Sequence, residues 1–561
     1  MILTPSTREH MTTLLDAAIL SDDAPDQIAF QLIASDAPAL TVTRRGFFDS
    51  SRRYASALMA VGVRPRDLVV IAHADLVESV AAFWGALIMG AIPSMLPTLT
   101  EKLDPAIYQR HMAELVRLSN VRAIITDQAH VSMLAHYLVC PVYGSDSLLT
   151  HASAICDVSH VASAQEIAFL QHSSGTTGLQ KGVALSHEAV LNQLASYAEA
   201  LSLDDQDVIV SWLPLYHDMG LIAGFIQPLV QGIPLVLMSP FDWVAHPALL
   251  LRAIHDHHAT LCWLPNFAYN HMAGRVRAHD SDGLDLSSMR AFVNCSEPVR
   301  HDSHHKFIER FAPNGVRANQ LAVSYAMAEN TFAVTQTRTG EAPTIDWVDQ
   351  QAIQTDLQAI SIPSNTLTAM PQVSCGRVIA NTTIKIVDLA GHTLPERHIG
   401  EIFVKSDCML AGYYHRPDLQ PFDADGWYAT GDKGYLADGE LYVIGRSKDL
   451  IINAGKNVYP SDIEAALADI DGVHPGRAVV FGIADEREGT ELIAVVAEVD
   501  TDDAAVRKRI NQTIRGTIAR RSEITVTFVT LVEKGWLIKT SSGKIARGAN
   551  RDKWREQFGE R

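Results

Sequence analysis

The sequence predicts an α/β protein: a large N-terminal domain of mixed sheets flanked by helices plus a β-rich subdomain, followed by a small α+β C-terminal domain. Three observations predict it. Short apolar runs alternate with helical patterns from 45 to 170 and again through the middle of the chain, the rhythm of parallel or mixed sheets with helices on their faces. After about 380 the texture changes to alternating strands joined by tight turns. Past Arg446 a block of about a hundred residues mixes helices and strands, a normal size for a separate domain.

Each element follows in order. Residues 67–73 read as a strand and 76–90 as a helix, with another short strand at 123–126. The most apolar stretch, 80–96, is broken by Gly85, Gly90, Pro93 and Ser94. A buried helix and turn fits it better than a membrane span. Strand patterns recur at 208–213, 234–238, 260–264 and 291–295, with a helix at 247–257. Strands at 382–388 and 401–406 precede a pair at 434–436 and 441–444 that flanks Asp438-Gly439, a strong hairpin signal. Ser461 and Glu464 have the spacing of a capping box opening a helix to about Ile470. Strands at 478–483, 491–499 and 525–531 surround a basic helix at 504–521.

Length and composition bound the function. A chain of 561 residues exceeds one compact core. With 47% hydrophobic and 20% charged residues it reads as a soluble globular protein. A net charge of −18 argues against nucleic acid, whose phosphates it would repel. The six cysteines lie far apart with no C-x-x-C pair, so reduced thiols in a cytoplasmic protein are expected. Residues 1–20 lack a basic segment leading into an apolar one, so no secretory signal and no integral membrane association are expected.

The chemistry concentrates at 170–183. Ser173, Ser174, Thr176 and Thr177, with Gly175, Gly178, Gly182 and Lys181, follow a strand-like run. Glycines let backbone N–H groups close on an anion, hydroxyls donate, and the lysine neutralises charge. That suits a phosphate-wrapping loop, although a solvated loop has the same composition. The P-loop pattern is absent, because Gln180 precedes Lys181 and Gly182 follows it. Six further constellations follow: 212–220 with His217 and Asp218, 294–298 around Ser296, 324–329 with Tyr325 and Glu329, 428–432 ending in Asp432, 445–449 with Arg446 and Lys448, and 540–545 with Lys544. Two of them sit just past strands, where α/β proteins place ligand sites. Singly, each also reads as a packing ring or a solvated charge.

Together and in this order, the seven segments resemble the motifs of the acyl-adenylate-forming superfamily, which includes acyl-CoA synthetases, peptide-synthetase adenylation domains and firefly luciferase. The resemblance runs from about 45 to 550, and the loop at 173–182 and the segment 445–455 are its most specific parts. Within the superfamily the chain is most similar to the fatty acyl-AMP ligases, through 213–221 and the long stretch 334–372. The resemblance implies domains at 1–446 and 447–561, the second one mobile. It implies activation of a medium- or long-chain fatty acid by ATP with Mg²⁺, then transfer to an acyl carrier protein or, alternatively, to CoA. A non-catalytic sensor of ATP or acyl-AMP is the reading from another class; retention of Lys544, Glu329 and Asp432 argues against it.

The same resemblance assigns roles. Ser173, Ser174, Gly175, Thr176, Thr177 and Lys181 hold the phosphates, and Glu329 with Thr176 binds the metal. Tyr325 stacks on adenine within the segment Ser324, Ala326 and Met327, while Asn294, Ser296 and Glu297 line the base. Asp432 and Arg446 take the ribose. Lys448 is the hinge beside the nucleotide. Lys544 is the catalytic cation, and His217 sits near the carboxylate. The acid falls one position late, at Asp218, which disfavours an amino-acid substrate. For the acyl tunnel the candidates are Trp243, Trp263, Phe267, Ala268, Met272 and 219–225, each equally readable as core. The histidines at 255–258 and 301–305 are expected on solvated helix faces; His301 and His305 have zinc spacing but no companion pair. The segment 452–459 is closer to the CoA-synthetase style than to the fatty acyl-AMP ligases.

Overall fold

The structure is a computed structural model. It describes residues 2–8, 11–19, 26–100, 105–152, 160–173, 181–453, 456–468, 470–485, 490–522, 524–540 and 544–559. Among them, a nine-stranded sheet has at its centre the parallel strands Leu321–Ala326, Ala291–Asn294, Leu261–Leu264, Ile209–Ser211, Leu235–Met238 and Ile28–Ile33. A seven-stranded sheet has Ile92–Met95 at its centre, with Ile167–Ser173 on one side and Leu68–Ala72, then Ala123–Thr126, on the other. The strands at 68–72, 92–95, 123–126 and 261–264 are buried throughout, which is why 68–72 and 261–264 read as continuous apolar runs.

The helix Leu76–Ile88 is capped by Asp75, whose carboxylate accepts from the Val77 and Glu78 N–H groups. It packs closely on Arg44–Ala60. A Cβ at Gly85 would lie 2.5 Å from that of Tyr54, so glycine sets the approach of the two helices. No described helix is long and apolar enough to cross a membrane.

An antiparallel four-stranded sheet runs Thr382–Val387, Gly400–Ser406, Tyr428–Ala437, Glu440–Arg446. Its last turn holds Asp438 at φ +54° and Gly439 at φ +75°, the left-handed pair expected of a type I′ hairpin. The stretch 334–372 is not a loop. It contributes part of the large-sheet strand Ala333–Gln336, then Ile345–Asp349, the helix Gln350–Thr355 and most of Ala369–Val373.

At the C-terminal end Val473–Asp485, Thr490–Val499 and Phe528–Val532 form a three-stranded sheet covered by Ala504–Ser522 and Arg547–Phe558. The capping box does not form. The helix begins at Pro460, one residue before Ser461, with no side-chain cap. Proline is preorganised for the first helical position, and Glu464 is drawn instead to Arg547.

Candidate active site

A continuous cleft of ≈ 3440 Å³ separates the large N-terminal part from the C-terminal block. Arg300 bridges the two near its rim: one guanidinium nitrogen lies 3.0 Å from Asp462 Oδ1 and the other donates to the Ser461 carbonyl at 2.7 Å.

Three strands bring Tyr325, Asp432 and Arg446 together on one wall. Asp432 and Arg446 are cross-strand neighbours, and Arg446 Nε lies 3.2 Å from Asp432 Oδ1. The Tyr325 hydroxyl donates to Asp432 Oδ2 at 2.7 Å. Burial, with Asp432 alongside, pushes that hydroxyl well above the ordinary tyrosine range, so it stays a donor. The carboxylate is thereby held rigid with the cleft in front of it.

Glu329 sits on the short turn Ala328–Asn330. Its Oε1 accepts from the Tyr413 hydroxyl at 3.2 Å, and Tyr413 lies 3.2 Å from the Tyr428 hydroxyl. Tyr413 is pushed up to about 12 by burial and then by Glu329. The strand Gly412–Tyr413 pairs with Lys181–Ser186, which places Lys181 Nζ 4.9 Å from the Tyr413 ring centroid. One tyrosine thus gathers a cation and a carboxylate in the lining of the cleft. Two residues on, Thr331 holds φ +61° and donates to the Cys408 carbonyl at 2.7 Å. Positive φ is rare for a β-branched residue, and strain of this kind collects at ligand clamps.

Of the turn itself, Ser173 pairs by backbone with Lys181; its side chain, and all of Ser174, Gly175, Thr176 and Thr177, lie outside the described residues. Ser296, Glu297, Ser324, Ala326, Met327 and Lys448 all line the cleft. The Ser324 hydroxyl is committed to the Thr335 carbonyl at 2.8 Å, and Glu297 accepts from the Phe267 N–H at 2.9 Å. Asn294 is a correction. It is fully buried, with its amide on Asn266 Oδ1 at 3.1 Å and His304 Nε2 at 2.9 Å. It braces the end of its strand and does not line the cleft.

His304 is corrected with it. It is buried, and desolvation lowers its pKa to about 3; only its neighbours His301 and His305 fit a half-exposed or exposed face. Most tunnel candidates prove to be core. Trp243, Trp263, Ala268 and Met272 are fully enclosed, the Trp263 N–H donates to Tyr197, and Met219–Ile226 is a buried π-helix. Phe267 alone of the named residues lines the cleft.

Also in the lining, His217 Nδ1 lies 2.6 Å from Asp218 Oδ1. Burial alone would raise the Asp218 pKa; His217 first, and Lys544 with it, outweigh that and hold it below the ordinary range. Lys544 comes from the C-terminal block, on a narrow return in which Thr540 N–H donates to the Lys544 carbonyl at 2.7 Å. Three residues later Arg547 anchors the return. It bonds both Glu464 oxygens at 2.9 Å, Asp449 Oδ2 at 2.6 Å and the Val480 carbonyl at 2.9 Å. Sequence reading missed Tyr413 and Arg547. The Gly412-Tyr413 pair was the available signal for the first, and none pointed to the second.

The arrangement lines one cleft with a carboxylate and a cation around Tyr413, a hydrogen-bonded carboxylate at Asp432, and a second cation beside a histidine–aspartate pair. Comparison with known proteins agrees. Residues 21–414 match the family model described as AMP-binding enzyme. The chain is 32% identical to the medium-chain-fatty-acid–[acyl-carrier-protein] ligase JamA of Moorena producens, covering 85% of this chain and 84% of that one. It is 29% identical to a long-chain-fatty-acid–AMP ligase of Mycolicibacterium smegmatis, over 90% and 87%. A solved structure from work on fatty acyl-adenylate ligases of E. coli and L. pneumophila superposes with TM-score 0.90 at 25% identity, over 98% and 99%. The L. pneumophila fatty acyl-adenylate ligase in complex with acyl adenylate and pyrophosphate gives 0.76 at 28%, over 98% and 97%.

Proposed function

The chain belongs to the AMP-binding enzyme family, and on that footing we propose that it is an ATP-dependent ligase. It activates a fatty acid as acyl-AMP with release of pyrophosphate, then passes the acyl group to the phosphopantetheine thiol of an acyl carrier protein. The observation that carries this reading is the entry of Lys544 into the cleft that also holds Glu329, Asp432 and His217.

The chemistry asks for that combination. A carboxylate must attack the α-phosphorus of ATP, and the two anions repel. Lys181 and the turn at 173–177 neutralise the phosphates, Tyr325 and Asp432 hold adenine and ribose with Arg446, and Lys544 meets charge that grows in the transition state. The Glu329 carboxylate, a hard oxygen donor, fits Mg²⁺, with Thr176 as its companion. That ion supplies further neutralisation of the phosphates when bound. We place the domain boundary at Arg446, with Lys448 as the hinge on which 447–561 swings between the two half-reactions.

The carrier protein is favoured as acceptor by the similarity to JamA and by the folded segment at 334–372. The helix Gln350–Thr355 meets the hairpin of the C-terminal block, where the Asn457 amide donates to the Gln354 carbonyl at 2.9 Å. Tyr459 is buried among Val348, Ile353 and Tyr442. A segment so attached restrains the swing that admits free CoA. The residues at 453–457 favour CoA as the second reading. Enzyme charged with labelled fatty acid and offered carrier protein and CoA in competition decides between them, with the carrier protein expected to receive the label. Asn457→Ala, which cuts the tie, is expected to raise the share taken by CoA; an unchanged share contradicts the restraint.

A further inference from the structure

His217 and Asp218 do more in this cleft than sit near a carboxylate. The 2.6 Å contact between His217 Nδ1 and Asp218 Oδ1 fixes the tautomer. The Met219 N–H also approaches Nδ1, at 3.3 Å, but lies closer to Asp218 Oδ1, at 2.8 Å. The carboxylate therefore serves both donors, and Nδ1 carries the proton. In the neutral ring Nε2 is then the acceptor, and among the described residues it has no hydrogen-bond partner. The side chain is 22% exposed and lines the cleft, while its aspartate is 11% exposed. A base oriented by a buried acid beside a reaction cleft is the arrangement that activates a nucleophile.

The groups facing this pair define when it works. From its own segment come His217 and Asp218, from the C-terminal return comes Lys544, and from the end of Ala291–Asn294 comes Cys295, whose thiol is pushed up to about 12 by burial. Asp218 is thus shared by His217 and Lys544. Once Lys544 withdraws, His217 is the partner left to the Asp218 carboxylate among these groups.

We propose that His217, oriented by Asp218, is the general base of the thiol-transfer half-reaction, and that withdrawal of Lys544 readies it. This rests on the acyl-AMP reading above. Nε2 takes the proton of the incoming thiol while a sulfur lone pair bonds to the acyl carbonyl carbon. The bond from that carbon to the phosphate oxygen breaks, and AMP leaves with the electron pair. The imidazolium then returns its proton to solvent. Asp218 is a positioning residue, since it acts through His217.

The test is single-turnover transfer from supplied acyl-AMP to pantetheine, and to an acidic aryl thiol already ionised at neutral pH, across the pH range. His217→Gln is expected to slow transfer to pantetheine by about a hundredfold or more, the usual span of a lost general base, and to flatten the rising limb of the pH–rate profile that such a base produces. The aryl thiol is expected to recover most of the rate. Asp218→Asn is expected to behave like His217→Gln and Asp218→Glu to recover part. Equal slowing with both thiols, or loss of pyrophosphate exchange as large as the loss of transfer, overturns the proposal. If the variants do not fold, the wild type decides: its pH limb is expected with pantetheine and not with the aryl thiol, and identical profiles overturn it. Failure of the underlying reading looks different, because wild-type enzyme would then show no fatty-acid-dependent exchange at all.

Discussion

Removing Arg547 should uncouple the C-terminal return from the domain that carries it. The guanidinium makes two bonds to Glu464, one to Asp449 and one to the Val480 carbonyl, and it is 20% exposed against 20% and 24% for its acidic partners. Arg547→Ala leaves two carboxylates, each about four-fifths out of water, facing one another with no cation between them. Breaking one buried ion pair costs about 3–5 kcal/mol; residual solvent contact argues for the lower end, about 3 kcal/mol. A domain is usually stable by about 5–15 kcal/mol, so the loss is a large share. Arg547→Lys should recover only part, because an ammonium cannot reproduce the planar fork. Urea unfolding followed through Trp536 and Trp554, which lie in this domain, measures the change. Asp449 belongs to the turn with Lys448, and Arg547 follows Lys544 by three residues. Adenylation should therefore fall more steeply than stability alone requires. A change below about 1 kcal/mol, which is what an exposed pair contributes, with unaltered adenylation, refutes the reasoning.

Two further outcomes are expected. Desolvation lowers His172 and His187 to about 4 and His304 to about 3, while the unfolded chain titrates near the ordinary histidine value of about 6.5. Above that pH both states are neutral and nothing changes; below it the unfolded chain binds protons the fold refuses, so stability falls by about 4 kcal/mol per pH unit near pH 5.5. Urea midpoints at pH 7 and pH 5.5 check this, and a His304→Gln variant that retains the Asn294 bond should show a shallower slope. Tyr413→Phe removes the hydroxyl on Glu329 and should raise the KM for ATP several-fold, with little change in melting temperature; initial-rate kinetics at fixed fatty acid measures it.

Much of this architecture was legible in the chain because its signals are local. Fully buried strands at 68–72 and 261–264 had to be continuous apolar runs, and Asp438-Gly439 had to turn. What could not be read depended on partners far away in sequence. The tie between Glu464 and Arg547 spans 83 positions, so Glu464 looked like half of a capping box. His304 belongs to a helix whose first turn is polar, and only the placement of Asn294 shows that its ring faces inward. Tyr413 joins Lys181 and Glu329 solely through the pairing of Gly412–Tyr413 with Lys181–Ser186. Most of the tunnel candidates proved to be core for a different reason. Large apolar side chains in a chain this size are mostly core, and Trp243 and Trp263 are no exception.

The account turns on the cation that the C-terminal block delivers into the cleft. Fatty-acid-dependent exchange of labelled pyrophosphate into ATP, compared between wild type and Lys544→Ala, tests it most directly. The wild type is expected to exchange, and the variant to lose exchange by several orders of magnitude while still transferring acyl groups from supplied acyl-AMP. Exchange that survives the substitution, or equal loss in both half-reactions, contradicts it.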